Sequence, residues 1–283
     1  MRKRGVIRVA VCQFPISKHP SRNGRWVRKQ MLGAWKKRAD VVHFPECALS
    51  GYPNAEGFTF RGYDWDRLRA ETRTIMDLAR KYGQWVVLGS SHRLTGGHRP
   101  HNCLYVINPR GRIVDRYDKR FCTGGDLEHY SPGDHFVTFS VRGVKCGLLI
   151  CYDMRFPELY REYKKMGVEL LLHSFHNAHG EKRGIWADIM PPSLMCRAAT
   201  NYMWISANNS SAHYQQWPSM MIRPDGTVAG RLRQHTAGVT VQTVDTVKKM
   251  YDASGPYRRR AMQMLLNSGK LVRDGRSRDR KSL

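Results

Sequence analysis

The sequence predicts an α/β fold in which helices pack around two sheets, and two observations lead there. Short apolar, β-branched runs alternate with stretches of helical period along most of the chain. The element order of the first half is then echoed in the second, although no stretch of sequence repeats. Two packed sheets, each covered by a layer of helices, satisfy that order.

Each element has a local reason. Ile7, Val9 and Val11 alternate with Arg8 and Ala10, which makes residues 6–13 a first strand. Residues 22–38 follow as a helix, with Trp26, Met31, Leu32 and Trp35 as its buried stripe. Residues 41–44 form a short buried strand ending at Pro45 and Glu46. Leu68, Ile75, Met76 and Leu78 mark a second helix over 65–82. Strands over 84–90 and 103–108 form a hairpin, and Asn108-Pro109-Arg110-Gly111 turns the chain into a strand over 112–117.

The second half restarts with a strand over 144–150, a helix over 156–166 and a strand over 168–173. Residues 183–201 are helical, with Pro191-Pro192 expected to kink or restart the helix. Strands over 202–207 and 219–222 follow, then a tight turn at Pro224-Asp225-Gly226 and a last strand over 239–244. From Tyr257 the chain turns basic. A short amphipathic stretch over 262–266 precedes a polar end with no core of its own. The expected division is one domain over 1–256 and a basic tail over 257–283 that packs on a partner subunit or stays partly disordered.

A chain of 283 residues buries about three quarters of its unfolded surface and needs no disulfide or metal staple. Its 7 cysteines are scattered and contain no CxxC pair, which excludes a zinc ribbon and fits reduced thiols in the cytoplasm. The basic start is too short and too polar for a signal peptide, and no window approaches a membrane span. Lys and Arg outnumber Asp and Glu by 48 to 23, a net charge of +25. Such a field attracts polyanions or steers an anionic substrate. The charge is spread along the chain with no nucleic-acid-binding module, so a solvated basic surface accounts for it and nucleic acid is not the expected partner.

Cys151 carries the most chemical information. The apolar run 147–150 delivers it to an abrupt change of character at Asp153 and Pro157, so it sits at a strand-to-helix turn. Backbone amides and a helix dipole there favour negative charge, and with it a thiolate. The competing reading is a small core hydrophobe. Glu46 directly follows a buried strand, where a carboxylate is costly unless paired or working. Lys119 and Glu128 lie beyond the strand over 112–117. The histidines at 173, 176 and 179 look metal-like, but a strand does not converge side chains at that spacing, so no metal is expected.

Taken in order, these pieces resemble the nitrilase superfamily of carbon–nitrogen hydrolases. The matching segments are 7–14, Phe44-Pro45-Glu46 with Ser50-Gly51-Tyr52, Tyr117 to Lys119, Glu128 with Ser131-Pro132-Gly133-Asp134, and 146–161, followed by parts of 197–226. The resemblance implies a four-layer αββα sandwich assembled into homodimers or larger homo-oligomers. It implies Cys151 as nucleophile, Glu46 as general base, Lys119 as stabiliser of the tetrahedral intermediate and Glu128 as a second glutamate holding Lys119. It implies no cofactor. Tyr52, Tyr152, His176 and Asn177 are expected around the substrate, with aromatic core packing as the alternative for the two tyrosines. Arg155 and Glu158 look like an ion pair that fixes the turn, and Asp153 like a helix cap. The expected reaction is hydrolysis of a small linear amide or N-carbamoyl compound, with nitrile hydrolysis as the alternative. A polyanion-binding protein on a retired hydrolase fold is the reading from another class.

Overall fold

The computed structural model describes residues 3–177 and 184–281. The chain runs β1 (Val6–Gln13), α1 (Pro20–Lys36), β2 (Val41–His43), α2 (Pro53–Glu56), α3 (Trp65–Tyr82), β3 (Trp85–His92), β4 (His101–Ile107), β5 (Ile113–Asp118), α4 (Gly124–His129) and β6 (Thr138–Val141). It continues through β7 (Val144–Ile150), a 3-10 turn (Cys151–Arg155), α5 (Pro157–Lys165), β8 (Leu170–Ser174), α6 (Trp186–Asn201), β9 (Trp204–Asn208), β10 (Met220–Ile222), β11 (Val228–Arg231), β12 (Gly238–Asp245), α7 (Gly255–Met262) and α8 (Gly275–Arg278).

Two six-stranded sheets form, in the orders β12-β1-β2-β3-β4-β5 and β11-β10-β9-β8-β7-β6. In each, three central strands are parallel: β1, β2 and β3 in one, β7, β8 and β9 in the other. This is the echo visible in the sequence. β1 shows why its strand is apolar on both faces. Ile7, Val9 and Val11 point between the sheets, in one core with Leu148, Leu170 and Leu172. Ala10 and Cys12 point outward, in a second core with Val27 and Met31 of α1 and Ile75 of α3. The result is the four-layer αββα sandwich.

Two expectations change, and the last strand takes a place that the sequence left open. α6 continues through Pro191 and Pro192 as one helix rather than restarting. The last strand closes the first sheet, pairing antiparallel with β1, so the chain's end returns to its beginning. In the tail, the helix is α7, and residues 264–266 lie exposed beyond it.

The parallel strands set the place of the chemistry. Glu46 follows β2, Cys151 follows β7, and His176 follows β8, so one end of both sheets collects the functional groups. Ligand sites of open α/β sheets lie at these carboxyl ends. Gly89 on β3 permits this crowding. A Cβ there would stand 1.9 Å from the carbonyl oxygen of Pro45, so only glycine lets the turn carrying Glu46 settle on β3.

Candidate active site

Lys119 is the centre of the site. Its ammonium is fully buried and donates to Glu46 Oε1 and to Asp126 Oδ2, both at 2.8 Å. Glu46 is equally buried. Its Oε1 also accepts from Asn102 Nδ2 at 2.7 Å, and its Oε2 accepts from the backbone N–H of His176 at 2.9 Å. Burial opposes the charge on Lys119, but Glu46 and the other negative groups outweigh it and hold the ammonium well above its ordinary pKa. Two carboxylates and one ammonium leave an excess negative charge beside Cys151.

Asp126, not Glu128, is the second carboxylate. Both lie on α4, but Asp126 faces inward and Glu128 faces solvent. Thr123 caps the helix: its side chain accepts from the Asp126 N–H at 3.1 Å, while Asp126 Oδ2 accepts from the Thr123 N–H at 2.9 Å. The same Asp126 carboxylate accepts from Lys119 and, through Oδ1, from the Tyr52 hydroxyl at 2.7 Å. Burial works against ionisation, yet Lys119 pulls the Asp126 pKa below 3.8. The signal was present in the sequence as Thr123-Gly124-Gly125-Asp126, a capping box with aspartate in the third helical position. Asn102 carried no comparable signal, because only the β4 register brings it to Glu46.

Cys151 stands on the first residue after β7 with φ +42°, a left-handed conformation that strains a side-chain-bearing residue. Asp153 secures the turn rather than capping α5. Its Oδ2 accepts from the Ile150 N–H at 3.0 Å and the Tyr117 hydroxyl at 2.8 Å, and its Oδ1 from the Phe121 N–H at 2.9 Å. Burial raises the Asp153 pKa to about 6. The thiol departs from expectation. Burial and then the Glu46 carboxylate push its pKa well above 9.0, beyond what Lys119 offsets, so the resting side chain is a neutral thiol and not a thiolate.

Cys151 and Lys119 open onto one cavity of about 380 Å³. Tyr52, Tyr152, His176 and Asn177 all line it. Tyr52 also lies 5.3 Å from the His176 ring, centroid to centroid. His176 Nε2 is 3.0 Å from Oε1 of Glu56 on α2. Burial disfavours the imidazolium, but Glu56 outweighs it and raises the pKa above 6.5. Arg155 also lines the cavity, its guanidinium 5.0 Å over the Trp186 ring. It makes this contact instead of the expected pair with Glu158. His173 is buried against Phe175 and 2.9 Å from the Tyr160 hydroxyl. His179 lies outside the described residues, and among the described residues no cluster of potential ligands could hold a metal ion.

A model of the carbon-nitrogen hydrolase family matches residues 8–250, and the chain belongs to that family. It is a carbon–nitrogen hydrolase. It is 29% identical over 240 residues to omega-amidase NIT2 of Danio rerio, covering 79% of this chain and 83% of that one. It is 27% identical over 224 residues to an (R)-stereoselective amidase of a Pseudomonas species, covering 75% and 77%. The crystal structure of an amidase from a Nesterenkonia species superposes with a TM-score of 0.77 at 20% identity, over 94% of this chain and 98% of that one. In a variant of that amidase, the acetamide moiety of fluoroacetamide has added covalently to the active-site cysteine.

Two outcomes test this geometry. Asp126→Asn, which removes a charge from Lys119, lowers kcat for C–N hydrolysis by about tenfold or more, whereas Glu128→Gln leaves it within about twofold. Steady-state rates of the two variants decide, and the reverse ranking would restore Glu128. The second concerns His176. Its folded pKa exceeds the unfolded one, so the stability it gains from Glu56 is complete below 6.5 and fades as pH rises through the raised value. Chemical denaturation should show Glu56→Gln destabilised near pH 6, with the gap to wild type narrowing at alkaline pH. A gap independent of pH contradicts the pairing.

Proposed function

We propose that this hydrolase cleaves small amides bearing a negative charge, through a thioester on Cys151. The observation that carries the reading is one cavity bounded by a neutral thiol and by an ammonium already hydrogen-bonded to a buried carboxylate. Amide hydrolysis needs a nucleophile, a proton shuttle and donors aimed at the developing oxyanion. Glu46 takes the Cys151 proton as sulfur attacks the carbonyl carbon. Lys119 and the backbone amide of Tyr152 receive the oxyanion. Glu46 then returns the proton to the leaving nitrogen as the C–N bond breaks, releasing ammonia or an amine and leaving the thioester. Water, deprotonated at Glu46, attacks the thioester; the C–S bond breaks, the acid departs and Cys151 regains its proton.

Two cavity groups support the substrate class. Arg155 pairs with no carboxylate among the described residues, while Lys119 has two and His176 has one. It is the natural partner of an anionic end of the substrate. Among the described residues, Asn177 Oδ1 is buried without a hydrogen-bond partner, positioned to accept from an amide N–H. Several relatives are named as omega-amidases or amidases, which supports the amide and does not favour a nitrile. An N-carbamoyl compound presents the same carbonyl to the same groups. The polyanion-binding reading has no such site, and the net charge of +25 serves an anionic substrate by steering it.

The proposed setting is cytoplasmic and oligomeric. No helix among the described residues is long and apolar enough to cross a membrane. In the tail from Tyr257, Met264, Leu266, Leu271 and Val272 are exposed, and a partner subunit would cover them.

Intact-mass measurement during turnover of a monoamide of a dicarboxylic acid tests the chemistry. An acyl adduct is expected on the wild type and none on Cys151→Ala, whose kcat falls by about a thousandfold or more. Arg155→Met should raise KM for that substrate by about tenfold and leave a neutral aliphatic amide unchanged. Undiminished hydrolysis by Cys151→Ala would falsify the thioester route, and an equal loss on both amides would remove Arg155 from recognition.

A further inference from the structure

β2 carries a histidine where its pattern calls for an apolar side chain. Val41 points into the core between the sheets and Val42 into the core beneath the helices, so His43 occupies the next between-sheet position. It is fully buried there. Its ring bridges the two sheets: Nδ1 lies 2.8 Å from Ser206 Oγ on β9 and Nε2 lies 2.8 Å from Ser174 Oγ on β8.

The directions of these hydrogen bonds follow from one further contact. The Ser174 hydroxyl donates to the carbonyl oxygen of Phe44 at 2.8 Å, so its single proton is used. Ser174 Oγ therefore accepts from His43, which makes Nε2 the protonated nitrogen. Burial keeps the imidazole neutral, pulling its pKa down to about 3, so Nδ1 is bare and accepts from the Ser206 hydroxyl. A one-way chain results, from Ser206 through His43 and Ser174 to Phe44.

That chain ends two residues before Glu46. The same stretch is stitched to the β8 end by further bonds. The Asn208 side chain donates to the His43 carbonyl. The Phe175 N–H donates to Asn208 at 2.7 Å, the Glu46 N–H to Phe175 at 3.3 Å, and the His176 N–H to Glu46 Oε2 at 2.9 Å. A valine at position 43 would fill the core but leave both hydroxyls without their ring partner.

We propose that His43 is a positioning residue: as its Nε2–H tautomer it locks the ends of β2 and β8 together and so aims the Glu46 carboxylate at the reacting proton. This rests on Glu46 as the proton acceptor in the reaction above. It concerns the geometry of that group and not its identity.

Two measurements on the full chain test it. In 15N-histidine NMR spectra, His43 should show a protonated Nε2 and an unprotonated, hydrogen-bonded Nδ1, unchanged between about pH 5 and 8. An Nδ1–H tautomer, or titration in that range, overturns the chain whatever Glu46 does. In steady-state kinetics, folded His43→Leu should lose about tenfold or more in kcat with KM within about twofold. His43→Gln, which keeps a donor toward Ser174, should recover most of the loss. If His43→Leu does not fold, Ser174→Ala takes its place, with the same expected drop. A folded His43→Leu or Ser174→Ala enzyme with wild-type kcat overturns the positioning role. Wild-type activity of Glu46→Gln would instead overturn the underlying reaction and leave the NMR result intact.

Discussion

The structure depends on one buried ammonium. Lys119 sits in the interior between the Glu46 and Asp126 carboxylates, at 2.8 Å from each. Burying an ion costs several kcal/mol unless opposite charge and hydrogen bonds replace the lost water. Here that replacement comes from the turn after β2 and the capped first turn of α4, and it reaches an ammonium at the end of β5, so three separate parts of the chain meet. Fixing one ammonium therefore fixes the relative positions of all three. Removing either carboxylate would leave a buried charge short of a partner.

The same arrangement sets the protonation states that the chemistry needs. Burial and, after it, the Glu46 carboxylate outweigh the Lys119 ammonium, so the thiol keeps its proton at rest. In the proposed reaction the neutral thiol gives its proton to Glu46, a carboxylate that already accepts three hydrogen bonds. In that proposal, negative charge moves onto the substrate oxygen as the Cys151 sulfur attacks. The ammonium that balanced two carboxylates then faces one carboxylate, one carboxylic acid and an oxyanion. The ion cluster thus conserves its charge through the step, with its donors already in place.

Much of this was legible in the sequence because the residues sit at the ends of strongly patterned strands. Glu46 and Cys151 each follow an apolar run that could only be a buried strand, and Lys119 follows the strand after the Asn108 turn. Asp126 is not legible as the second carboxylate, because the family resemblance implies a glutamate there. Its position was written as a helix cap, and nothing local says that a capping aspartate also reaches a lysine seven residues earlier. Asn102 and Glu56 act only through the strand register and the α2 turn, which are tertiary facts. The resting charge of Cys151 was misjudged for a related reason: a helix terminus is visible locally, whereas the two carboxylates and the burial that outweigh it come from elsewhere. The proline pair in α6 shows the converse: of the kink or restart it predicts, the restart does not occur, and one helix runs from Trp186 to Asn201.

Burial, together with the Glu46 carboxylate of the ion cluster, keeps Cys151 a neutral thiol in the free enzyme. The ultraviolet absorbance of thiolate, recorded across pH for the wild type and subtracted against Cys151→Ala, measures this directly. The account predicts no thiolate signal from Cys151 at neutral pH and a titration above the ordinary thiol value of 9.0. A thiolate already present at pH 7, titrating below that value, would contradict it.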